Sequence, residues 1–136
     1  MYNIYSKVAP ELLLHRINRF DEITERTDIS ENEQFLQLAT LRMPKDKTFR
    51  PHKHIWKQPV VDLVIAQESW VVIQGSVEVS FFDIDDTLIE KQIIRRGDCS
   101  LTYQGGHTYT ILEDDTVVYE YKTGPYQGQE LDKVFL

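Results

Sequence analysis

An all-β fold, a sandwich or small antiparallel β-barrel built from short strands, is what the chain predicts, and three observations predict it. From residue 35 onward the apolar residues are mostly β-branched or aromatic and partly alternate with polar ones, as in FLQLATLRM and SWVVIQGSVEVSFFD. These runs are short and are punctuated by turn-forming clusters: DIDD at 83–86, RRGD at 95–98 and EDD at 113–115. Helical periodicity is confined to one stretch near the N-terminus.

Taken in order, residues 1–33 read as an N-terminal extension. Within it PELLLHRINRFDEI carries a helix-like period with Pro10 at a first-turn position, yet its Ile and Phe suit a strand equally well. SENE at 30–33 has the spacing of a helix capping box. Strands are expected near 35–43, 49–55, 60–66, 69–74, 76–82, 87–94, 99–102, 107–112 and 116–122, a spacing that suits a sandwich or barrel. Each Asp-rich or Gly-containing cluster between them reverses the chain, because Asp tolerates turn geometry and caps its own backbone. The segment KTGPYQGQELDKVFL follows the last strand and ends too apolar to be a free tail. One domain spanning 1–136 is expected, with a core of about 34–123 and a C-terminal segment at 124–136.

Composition narrows the function classes. The 136 residues carry a net charge of −7, so the diffuse field repels polyanions. Lys45, Lys47, Arg50, Lys53 and Lys57 make one locally basic stretch, but Asp46 interrupts it and no ladder of aromatics accompanies it. Nucleic acid is therefore not an expected partner. No apolar run approaches the roughly 18 residues of a membrane span, and the first residues lack the order of a signal peptide. A soluble cytoplasmic protein is expected. The single cysteine, Cys99, lies in an apolar pattern and reads as a buried core residue.

The chemistry sits in the histidines. FRPHKHIWKQ places His52 and His54 two apart, and on a strand residues i and i+2 project from the same face. If that face lines a barrel interior, two neutral imidazoles there need hydrogen-bond partners or a metal. An H-x-H in a surface loop is, by itself, just a solvated pair. His107 follows the glycine turn YQGGH, and Glu68 opens the strand ESWVVIQG. Three imidazoles and a carboxylate form a donor set suited to Fe, Mn, Ni, Co, Cu or Zn, and poorly suited to Ca or Mg. Tyr103 and Tyr109 flank His107, where phenols donate hydrogen bonds or a proton, although buried barrel packing accounts for them equally. His15 stands apart from these groups and reads as a surface or partly buried histidine.

The order of these elements resembles the cupin superfamily. His52, His54, Glu68 and Gly75 match its first motif, an H-x-H pair followed by a glutamate and a glycine, and Gly97, Gly105 and His107 match its second. The match spans about residues 48–112. The departures are specific. Thirteen residues, 55–67, separate His54 from Glu68 where the family has a short spacer, Tyr103 replaces a proline, Ile111 replaces an asparagine, and the first motif's leading glycine is missing. The resemblance implies a cupin jelly-roll barrel holding a divalent transition metal on His52, His54, Glu68 and His107. With TGPY and the closing DK, the pattern is similar to small bacterial cupins associated with surface-polysaccharide synthesis. It implies an enzyme acting on a small polar molecule, of sugar or nucleotide-sugar isomerase or epimerase type, with Glu68 as ligand or general base and Tyr103 and Tyr109 as catalytic phenols. A non-catalytic ligand-binding or regulatory cupin and a metal-dependent dioxygenase are the alternatives. A homodimer is expected, since the apolar ends MYNIYSKV and LDKVFL gain burial by docking on a partner.

Overall fold

Ten strands and two short 3-10 turns make up the fold in a computed structural model, which describes residues 1–54 and 64–136. The strands are β1 (Tyr2–Tyr5), β2 (Leu13–Asn18), β3 (Thr27–Asp28), β4 (Ala39–Thr40), β5 (Glu68–Gln74), β6 (Ser76–Phe82), β7 (Leu88–Arg95), β8 (Cys99–Thr102), β9 (Gly106–Ile111) and β10 (Val117–Lys122). All pairings are antiparallel. They form a five-stranded sheet in the order β1-β2-β8-β5-β10, a three-stranded sheet β7-β6-β9, and the small ladder β3-β4. Among the described residues no ladder joins the sheets into a closed barrel.

The two larger sheets share one core. Ile4, Ile17 and Val72 from the first meet Val77, Val79, Phe81 and Ile94 from the second, and all are buried. Alternation explains the selection: Val77, Val79 and Phe81 sit at every second position of β6 and so leave its inner face together. A second cluster of Ile29, Cys99, Leu101 and Tyr103 covers the other side of the five-stranded sheet. β8 is thus buried on both faces, which is why CSLT reads as a continuous buried run.

The three turns behave as their residues predict. DIDD closes β6 onto β7, with Asp86 at a φ of 68° and the Asp83 backbone N–H donating to Thr87 O at 2.8 Å. In RRGD, Gly97 holds a φ of 87° and the Asp98 carboxylate accepts the N–H of Arg95 and of Phe20. EDD places Asp115 at a φ of 56°.

The N-terminal third resolves the helix-or-strand alternative and departs from expectation in the stretch that follows. HRIN is a strand rather than a helix: its residues are buried on both faces between β1 and β8, and a helix would satisfy neither ladder. β1 and β2 are therefore strands of the larger sheet, whereas β3 pairs with β4 in the small ladder. SENE forms no helix. Residues 35–43 contribute only the two residues of β4, and residues 49–54 lie exposed outside any strand, so the strand expected at 49–55 is absent over its described part. The strand expected at 60–66 falls on residues outside the description for 60–63, and 64–66 are not in a strand.

Candidate functional site

Register places polar side chains in a row across the inner face of the five-stranded sheet. His15 pairs with Thr102, Thr102 with Glu68, and Glu68 with Lys122. One row further in stand Ile17, Ser100, Trp70 and Glu120, and beyond them the inner face turns apolar. The sandwich thus has an apolar end and a polar end. From the opposing sheet β9 contributes His107 and Tyr109, two apart and on one face, beside Phe81 and Val79 of β6.

The two sheets meet through specific contacts at the polar end. His107 Nε2 lies 3.1 Å from Glu68 Oε1. Tyr109 stacks on Trp70 with ring centroids 3.8 Å apart and planes 3° from parallel, and its hydroxyl is 3.2 Å from Ser100 Oγ. The Trp70 indole N–H donates to Glu120 Oε2 at 3.2 Å. Glu68, Trp70, His107, Tyr109 and Glu120 line a cavity of about 1340 Å³, open on one side and bordered by the C-terminal segment from Gln129 to Leu136. That segment is held by the ion pair of Lys122 Nζ with Asp132 Oδ2 at 3.1 Å.

Charge states follow from these partners. Burial by itself raises the Glu68 carboxyl, but the hydrogen bond and charge of His107, with the ammonium groups of Lys133 and Lys122, outweigh it and leave Glu68 below the usual carboxylate range. Burial drives the Tyr109 phenol upward against the opposing bond to Ser100, so it stands as a neutral donor or acceptor. The second Glu68 oxygen has no hydrogen-bond partner among the described residues, and His107 Nδ1 is buried without one.

His15 is the residue whose role the sequence concealed. It is 0% exposed, with Nδ1 3.1 Å from Thr102 Oγ1 and Nε2 3.0 Å from the Phe82 carbonyl oxygen. A carbonyl can only accept, so Nε2 carries the proton and Nδ1 accepts from the threonine hydroxyl. Burial lowers its pKa to about 4, and the ring is neutral. Gly105, at a φ of 77°, packs over this bond: a Cβ there would lie 2.5 Å from Phe82 O and 3.2 Å from His15 Nε2. A buried neutral histidine thus supports the glycine turn that leads into His107. Only its alternation with Leu13 and Ile17 along LLHRI hinted at an inward position.

The expected metal ligands divide into two groups. Glu68 and His107 meet at the cavity. His52 and His54 pack edge-to-face, 5.4 Å apart, on an exposed stretch, and His52 Nδ1 is 3.0 Å from Arg50 O. The inward-facing strand that would have aimed them into the interior does not form over the described residues 49–54. Among the described residues no three His, Cys, Asp or Glu side chains come together to hold a metal, and the two donors at the cavity fall short of the three or four such an ion takes from protein. Of the two tyrosines, Tyr109 is at the cavity beside His107, ring centroids 5.1 Å apart, whereas Tyr103 is 1% exposed in the cluster on the opposite face of the sheet. Cys99 is buried, and burial raises its thiol to about 11, well away from nucleophile chemistry. Among the described residues no helix is long and apolar enough to cross a membrane.

Comparison with known proteins returns no matching family model, no similar curated protein and no similar solved structure.

Proposed function

We propose that the cavity at the polar end binds a small carbohydrate-like molecule, and that Glu68 and His107 move a proton on it in an isomerase or epimerase type of reaction. The observation that carries this reading is the part-buried Glu68–His107 pair at the edge of a large cavity that is also bordered by the stacked Trp70–Tyr109 pair. Sugar rings present flat C–H faces that lie well on aromatic rings.

The chemistry follows from the pair. With His107 donating from Nε2 to Oε1, the second Glu68 oxygen is the base: it takes a proton from the carbon next to a carbonyl, and the C–H electron pair moves onto the carbonyl oxygen to give an enediolate. The nearby ammonium groups of Lys133 and Lys122, which also hold Glu68 ionised, offset that negative charge. For an isomerisation Glu68 returns the proton to the former carbonyl carbon while the hydroxyl proton of the neighbouring carbon passes to the enediolate oxygen, so that the carbonyl reforms one carbon over. For an epimerisation the original carbonyl reforms as water protonates the opposite face of the same carbon, and Glu68 gives up its proton to the resulting hydroxide.

A test uses fructose as a probe α-hydroxy ketone in heavy water, with deuterium entry followed by NMR. Wild-type protein is expected to catalyse exchange at the carbon next to the carbonyl. Glu68→Gln and His107→Gln are expected to reduce it at least about a hundredfold, the usual scale for loss of a general base. Exchange that persists unchanged in both variants defeats the assignment.

A second reading is the metal-holding cupin, with an enzymatic or a purely ligand-binding role in the cytoplasm. It is favoured by His107 Nδ1, a buried nitrogen without a partner among the described residues, beside a carboxylate. In this reading the facing sheets are the two halves of a jelly roll, and His52 and His54 complete a site with Glu68 and His107. Metal analysis of protein purified without an affinity tag decides it: a stoichiometric transition metal lost in both His52→Ala and His107→Ala supports the reading, and equal traces in all three remove it. The homodimer belongs to the same reading and rests on the exposed apolar side chains of Leu131, Val134, Phe135 and Leu136.

A further inference from the structure

The charge lining the cavity selects among small polar ligands, and from it we infer that the molecule bound there carries an ammonium group on a polar ring, an amino sugar or aminocyclitol, and is not a phosphorylated sugar. The inference deepens the proposed function and rests on its assignment of the cavity as the binding site. Six carboxylates border the cavity, Glu68, Asp83, Asp86, Glu120, Glu130 and Asp132, against two ammonium groups, Lys122 and Lys133, an excess of four carboxylates over ammonium groups. The imbalance survives pairing. Lys122 is taken up by Asp132 at 3.1 Å and approaches Glu120 only at 3.8 Å, and no described cation forms an ion pair with Asp86 or Glu130. No arginine lines the cavity, so the planar fork that grips phosphate is missing from its described walls.

Geometry says where the ammonium group sits. Glu120 stands one row inward from Lys122 on β10, directly opposite Trp70, and accepts the indole N–H through Oε2. That bond fixes the carboxylate at the edge of the aromatic wall. A ring lying on the outer face of the Trp70–Tyr109 stack brings a substituent at its rim to Glu120, where the carboxylate favours a cation. A phosphate at the same rim meets Glu120 and a net negative lining, in a chain that is itself at −7.

The test matches three probes on one ring: glucosamine, glucose and glucose 6-phosphate. Binding is read from the Trp70 indole N–H resonance, assigned by its loss in Trp70→Phe, at neutral pH in low salt and in about 0.5 M salt, where the Debye length falls to roughly 4 Å. Glucosamine is expected to bind about tenfold more tightly than glucose in low salt, glucose 6-phosphate more weakly than either, and the glucosamine preference is expected to shrink in high salt. Glu120→Gln is expected to remove most of that preference, because the amide still accepts the indole N–H and holds its place but carries no charge. Equal binding of glucosamine and glucose, or tighter binding of the phosphate, overturns the ammonium inference and leaves the cavity as a sugar site. Failure of all three to shift the resonance overturns the cavity assignment as well.

Discussion

Lowering the pH tests the buried histidine that supports the site. His15 is neutral in the folded protein with a pKa of about 4, against roughly 6.5 in an unfolded chain. Above the unfolded value both states are neutral and its contribution to stability is complete. As the pH falls through the window between the two values, the unfolded chain takes up a proton that the folded chain refuses, so stability is lost. The loss approaches about 3 kcal/mol once the pH is below both values, and linkage gives about 2 kcal/mol between pH 7.5 and pH 5. Urea unfolding followed by circular dichroism measures it, provided that other groups are cancelled by a variant lacking the imidazole. His15→Gln is suitable, since its amide N–H still reaches toward the Phe82 carbonyl. The variant is less stable than wild type at pH 7.5, having lost the ring contact with Phe81 at 4.7 Å, and the gap between the two proteins narrows by about 2 kcal/mol on going to pH 5. A gap that stays constant across the window means that His15 titrates normally when folded, and then neither its burial nor its bond to the Phe82 carbonyl is as described.

Three further outcomes test the architecture around the cavity. Gly105→Ala destabilises by about 1–3 kcal/mol in thermal or urea unfolding, because the left-handed φ and the 2.5 Å approach to Phe82 O both oppose a Cβ; Gly124→Ala, which meets only one atom at 3.7 Å, is close to neutral. Tyr109→Phe keeps the stack on Trp70 and loses the Ser100 bond, at a cost of about 1 kcal/mol, whereas Trp70→Ala removes the stack and costs about 3 kcal/mol or more. Size-exclusion chromatography with light scattering gives twice the 16.0 kDa chain mass if the exposed C-terminal apolar residues join two copies, and truncation after Asp132 returns the mass to that of one chain.

The strands from Glu68 to Lys122 were legible because they obey local rules: a two-residue period, β-branched and aromatic composition, and Asp or Gly at each reversal. Glu68, His107 and Tyr109 fell inside that stretch, so their convergence followed once the strands paired in register. The N-terminal third was illegible for a physical reason. β2 is covered on both faces, and a strand buried on both sides loses the alternation that marks a half-buried one, which leaves LLHRIN as readable at a helical period as at a strand's. His15 was missed with it, because a polar residue in the interior is visible only through partners that lie 67 and 87 positions away. Residues 35–54 misled in the opposite direction. FLQLATLRM has strand composition, but only Ala39 and Thr40 find a partner, and β propensity without a ladder to satisfy the backbone does not make a strand.

The location of the candidate site is a consequence of how the two sheets are filled. Toward the apolar end, valine and isoleucine from both sheets close the interior, and a ligand has no room there. Toward the other end the inner face carries His15, Thr102, Glu68 and Lys122, groups that must be paired wherever they are buried. His15 and Thr102 pair with each other and with the Phe82 carbonyl, and so become structure. Among the described residues Glu68 has one oxygen bonded and one without a partner, and Lys122 is drawn to the C-terminal segment. The row therefore divides at Thr102: on one side every polar group is satisfied from within the fold, and on the other the satisfaction is incomplete and a cavity lies against it. A base that remains ionised, partly desolvated and short of one partner is stabilised by whatever brings that partner. In the proposed function that partner is the ligand, and the stacked Trp70–Tyr109 pair one row inward offers it an aromatic surface.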